Sequence, residues 1–265
     1  MCCFSQTVER VSGTRIFARS ARNGLQYLVY SMNLVAAGDL AMLLPLPVPP
    51  RPREDAVRFL NLEHFADFFD DLERPFLPPP TRSLMGAPQA LLKVHDVGAF
   101  EASFVPTLSD FGRLDARFRL PQSAWEALPA YRDYGFAVFK LKSPSPKPGL
   151  LQKVLGRTPE RAFHPMAFEF LRRDATTVFF PTLHIHDGLA HERADFDHVL
   201  YCQADKHIEG ALAGWRAAPG PVKGYTRGND VLGILDPDAP VWRLELTGVR
   251  KNQDIVLGGT HAEAA

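Results

Sequence analysis

The sequence predicts an α+β protein made of two antiparallel sheet units, related by a distant duplication, with a few helices packed on one side. Three observations lead there. Short runs of aliphatic and aromatic residues (TRIFAR, LQYLVYSMNLV, FAVFKLK, MAFEFL, TVFFPTLHIH) recur between turn-forming pieces. The 23 prolines gather in strings such as PLPVPPRP and SPSPKPG, which break helices and fix extended connections. The segments LVYSMNLVAAGDLAMLLPLPVP and MAFEFLRRDATTVFFPTLHIHD echo one another, each reading as a strand, a polar turn and an apolar strand.

Taken in order, TRIFAR, LQYLVYSMNLV and LAMLLPLPV form an N-terminal meander, divided by the turns SARNG and AAGD. From Arg53 to Leu72 a helix is expected, because Phe65, Phe68, Phe69 and Leu72 recur at helical spacing, with Asn61 to cap it and Pro75 to end it. ALLKVHDV reads as a strand, the segment carrying Trp125 and Leu128 as helix, and FAVFKLK as strand. SPSPKPG is the natural hinge. After it come the strands MAFEFL, TVFFPTLHIH, FDHVLYCQ and VWRLELTGVRKNQDIVL, then the tail THAEAA. This divides the chain into a sheet-plus-helix half (1–142), a proline-rich connection (143–152), a second half carrying the histidines (153–258) and a tail (259–265). The length of 265 residues also suits a single bilobal domain.

Apolar residues make up 46% of the chain, enough for a sizeable core, while 30 basic residues balance 30 acidic ones. That balance argues against a nucleic-acid partner. With no apolar run near the ~20 residues that span a bilayer, and no apolar signal segment before the first charges, a cytoplasmic location away from membranes is expected. Three cysteines, Cys2, Cys3 and Cys202, are too few and odd in number for a disulfide framework.

The cysteine near the start, TRIFAR, LVYSMNL, DLAMLLPLPVP, FADFFDDLERPF and YRDYGFAVFKL together resemble an uncharacterised bacterial protein family. In that family a cysteine-containing N-terminus precedes a strand pair ending in Pro-Val-Pro. The similarity runs from residue 2 to about residue 142. It implies a fold unit rather than a reaction.

The candidate chemistry lies in two places. His184 and His186 alternate on one strand face, and His191 follows five residues later, so one hairpin can bring three imidazoles to a transition metal, copper or zinc first. Adjacent thiolates of Cys2 and Cys3 are soft ligands that could complete a mixed site, with Asp187 as the nearest base or orienting carboxylate. On this reading the protein is a metal-binding protein, or a metal-dependent oxidoreductase or hydrolase acting on a small molecule or peptide. Two alternatives stay open. If Met1 is trimmed, Cys2 carries a thiol and a free amine and can act as the nucleophile of an amidohydrolase. The chain can equally be a non-catalytic interaction module that docks through its proline-rich strand ends. The bland reading of the histidines is that neighbouring carbonyls and Asp187 simply hold them in place, and that of Cys2 and Cys3 is a small, buried strand start. The glycine-containing stretches GTRIFARS and KGYTRGND lack phosphate-loop spacing.

Overall fold

The computed structural model describes residues 2–21, 23–78, 97–98, 100–142, 161–226 and 231–259, without the side chains of residues 2, 97, 98, 161, 162 and 207. Strands dominate it, and the helices are short. In chain order the strands are β1 (Cys2–Phe4), β2 (Arg10–Ser20), β3 (Leu25–Val35), β4 (Leu40–Leu46), β5 (Val57–Asn61), β6 (Val97–Gly98), β7 (Phe100–Val105), β8 (Gly135–Leu141), β9 (Arg161–Phe163), β10 (Met166–Leu171), β11 (Thr177–Phe180), β12 (His184–Ile185), β13 (Arg193–Gln203), β14 (Arg216–Ala217), β15 (Trp242–Lys251) and β16 (Ile255–Gly258). The α-helices are α1 (Phe68–Glu73), α2 (Gln122–Glu126) and α3 (Lys206–Glu209).

Two sheets face one another. The smaller runs β12-β1-β4-β8-β7; the larger runs β14-β15-β13-β2-β3-β10-β5, with β9 beside β3 and β6 beside β9. Both are mixed, which corrects the all-antiparallel expectation: β1 with β12, β2 with β13 and β6 with β9 are parallel. Parallel neighbours must be distant in sequence, so strand patterning cannot reveal them. Each sheet draws strands from both sides of the 143–152 connection, which itself lies outside the described residues, as do 90–96 and the tail from 260.

Period-2 alternation builds the layers. Ile16, Ala18, Leu28 and Tyr30 point into the core shared by the two sheets, whereas Phe17 and Val29 face the opposite way. There they meet Phe68, Phe69 and Leu72 of α1, so this helix covers the outer face of the larger sheet. β4 is buried along its whole length, as expected of a strand with partners on both edges. Its Pro45 lies past Met42 and Leu43, the residues that pair with β1, so the missing N–H interrupts no bond to that strand.

The long helix expected over Arg53–Leu72 is a strand, a 3₁₀ turn and a short helix instead. Val57–Asn61 pairs with β10 from Val57↔Phe170 to Asn61↔Met166, and Asn61 Oδ1 accepts from the Glu63 N–H at 2.8 Å, closing a turn. The helical spacing of Phe65, Phe68, Phe69 and Leu72 was real but short, and an available sheet edge took the residues before it. Helix α2 lies where the Trp125 segment predicted one.

β11 and β16 form a separate ribbon that ends at Gly258, whose φ is +80°. A Cβ there would run into the Thr176 carbonyl oxygen, a backbone atom that cannot step aside. Gly258→Ala is therefore expected to cost about 2 kcal/mol from left-handed strain and overpacking together, read as a lower denaturant midpoint at unchanged m-value.

Candidate functional site

β1 is three residues long yet sits in the middle of the smaller sheet, because Cys3 and Phe4 are both fully buried between β4 and β12. Its backbone register sets Cys2 opposite His184 and Cys3 opposite Ile185. Beside it lies a column of rings, buried except for the half-buried His186. His184 stacks on His186 at 4.9 Å between centroids and 15° between planes, and on His198 at 4.8 Å and 21°. Phe196 stacks on His184 at 4.5 Å, and Phe4 lies 5.7 Å from His186.

The imidazoles are neutral. Burial, with its penalty on the charged form, holds His184 down to about 3, His186 to about 4 and His198 to about 2. His184 and His198, 7% and 1% exposed, share a hydrogen bond between their Nε2 atoms at 3.1 Å. Two neutral rings do this only as complementary tautomers, one Nε2 protonated and the other bare. His198 Nδ1 is buried without a hydrogen-bond partner among the described residues. Orphaning an acceptor there is cheaper than orphaning an N–H, so His198 is the donor and His184 the acceptor, with its own proton on Nδ1.

The strand carrying these rings is clamped from below. Asn252 Oδ1 accepts from the His184 N–H at 2.6 Å, and its Nδ2 donates to the carbonyls of His184 and His191 at 2.8 and 2.9 Å. Asp254 accepts from the N–H groups of Thr182 and Leu183 at 2.8 and 2.9 Å, and from the Tyr131 hydroxyl at 2.6 Å. Burial pushes the Asp254 carboxyl above the usual carboxylate range, against the lowering effect of these donors. Tyr131 is pushed far up by its own burial and by Asp254.

The structure thus brings together His184 and His186, as their spacing predicted, but not the rest of the expected set. His191 and Asp187 leave the column: they pair at 2.7 Å on an exposed loop, and the bond from His191 lowers the Asp187 carboxyl. Such an exposed pair contributes little to stability, and Asp187 is no base for the buried rings. Cys3 is packed into the core as the bland reading had it, while the Cys2 side chain lies outside the described residues. Cys202 is fully buried, and desolvation alone drives its thiol far up. The third ring is His198, two residues after Phe196 on the core face of β13; the FDH alternation carries that signal. Asn252 and Asp254 carried none, since Asn and Asp between strands ordinarily mark a turn.

The expected copper or zinc centre is overturned. Among the described residues, no group of three or more His, Cys, Asp or Glu side chains is arranged to hold a metal ion. No protein-family model matches the sequence, and no curated protein matches it. Solved structures do. The crystal structure of baculovirus P35 superposes with a TM-score of 0.50 over 98% of this chain and 100% of that one, at 14% identity, so the two share a fold. The caspase-8/P35 complex gives 0.46 over 93% and 96% at 15% identity, and a mutated baculovirus P35 after caspase cleavage gives 0.44 over 95% and 98% at 18%. Among the described residues, no helix is long and apolar enough to cross a membrane.

Proposed function

We propose that this chain is a protein-binding module that engages a cysteine protease of the caspase class. The observation that carries the reading is the end-to-end correspondence of its two-sheet architecture with P35, a protein crystallised in complex with caspase-8 and after caspase cleavage. The neutral, solvent-poor histidine column fits this role. His184 and His198, both buried and hydrogen-bonded to each other, pack as a core feature beside β1 and β12. This is the interaction-module alternative, with its partner now given a class.

The test is direct. The purified chain is incubated with caspase-8 in molar excess, and residual activity is followed on a fluorogenic peptide, with trypsin as the control protease. Time-dependent loss of caspase activity, a co-eluting complex on size exclusion and an untouched trypsin rate are expected. Full caspase activity together with separate elution of the two proteins rejects the reading.

A further inference from the structure

Away from the histidine column, the excursion between β7 and β8 folds back over the end of the smaller sheet. Its 3₁₀ turn Leu108–Arg113 and α2 place Phe111 and Trp125 on Phe136 of β8, with ring centroids 5.1 and 4.9 Å apart, and on each other at 5.6 Å. These two rings, with Leu108 and Leu120, line a cleft of about 620 Å³. That volume lies within the range of small-molecule sites, and an aromatic lining with a few convergent polar groups is their usual make-up.

The polar lining has a sign. Arg119 donates from Nε to the Leu114 carbonyl at 2.8 Å and from Nη2 to the Gly112 carbonyl at 2.8 Å, which fixes its guanidinium across the turn and leaves Nη1 outside these bonds. Arg132, an exposed residue of the lining, has no side-chain hydrogen bond or ion pair among the described residues. The one carboxylate in the lining, Glu126, accepts from Gln122 Nε2 at 2.9 Å. Two guanidiniums against one engaged carboxylate leave the cleft net positive above an aromatic floor. A guanidinium already held in place loses little freedom on binding an anion, and its Nη1 remains to donate a charge-assisted hydrogen bond to a carboxylate oxygen.

We propose that this cleft binds a small carboxylate bearing an aryl or alkyl body, the body on Trp125 and Phe111 and the carboxylate at Arg132 and Arg119. The inference stands apart from the protease reading. Calorimetric titration of the full chain with 4-phenylbutyrate tests it, beside 4-phenylbutan-1-ol, which keeps the body and lacks the charge. Saturable one-site binding is expected, about tenfold tighter for the acid than for the alcohol, with the indole N–H resonance of Trp125 shifting on titration. Arg132→Glu, a surface change that leaves the far-UV spectrum unaltered, is expected to weaken the acid at least about tenfold and the alcohol hardly at all; Arg132→Gln gives an intermediate loss. The proposal is overturned by no saturable binding up to the probe's solubility, by equal affinity for acid and alcohol, or by an Arg132→Glu variant that binds the acid as the parent does.

Discussion

Acidification from pH 7 to pH 5 is expected to remove about 6 kcal/mol of folding stability, because three buried or half-buried histidines must stay neutral for the chain to stay folded. The sign follows from the direction of the shifts. His184, His186 and His198 titrate at about 3, 4 and 2 in the folded protein, all below the ordinary value near 6.5 that they regain on unfolding. Below that value the unfolded chain takes up protons that the native state refuses, so the contribution is whole above about pH 6.5 and drains away as the pH falls towards the folded values. A pH of 5 lies about 1.5 units below the unfolded value; at about 1.4 kcal/mol per unit and per group, three histidines give the figure above. A domain of ordinary stability has 5–15 kcal/mol in all, so acid unfolding between about pH 4 and 5 is the expected outcome. Asp254 and Asp197 oppose the trend, since a carboxyl raised by burial in the native state favours folding as the pH falls, but they are two groups against three. Guanidinium unfolding at pH 7, 6 and 5 reads the slope directly, and His198→Leu should reduce the proton uptake by at least one. A stability that stays flat between pH 7 and 5 contradicts a neutral column.

Asp254→Ala is expected to cost about 4 kcal/mol. It strips the acceptor from three buried donors at once, the Thr182 and Leu183 N–H groups and the Tyr131 hydroxyl. Each orphaned donor costs about 1–3 kcal/mol, reduced somewhat as water enters. Asp254→Asn keeps one acceptor oxygen and should lose less than half as much. At about 2–4 °C per kcal/mol for a chain of this size, the alanine variant melts roughly 10 °C below the parent, which differential scanning calorimetry resolves. The variant should also loosen the strand that presents His184, so its acid transition moves to higher pH. A loss below about 1 kcal/mol contradicts the view that this carboxylate holds β12 in place.

By itself, the sequence determined the strand-rich character of this protein, the positions of β2, β3, β4, β8, β10 and β13, and the shared face of His184 and His186. These are local properties, since period-2 alternation and proline punctuation act over a few residues. Tertiary structure alone decided which distant strands lie side by side: β1 against β12, β2 against β13, and Val57–Asn61 as an edge strand on β10 where spacing suggested helix. It also decided the chemistry of the histidines. HIH in a strand is an equally good start for a metal site or for a packed column. What separated them was where the next residues went: His191 outward to Asp187, and His198 inward to meet His184. That choice follows from the pairing of β13 with β2 and β15, a long-range contact that no short window of sequence contains.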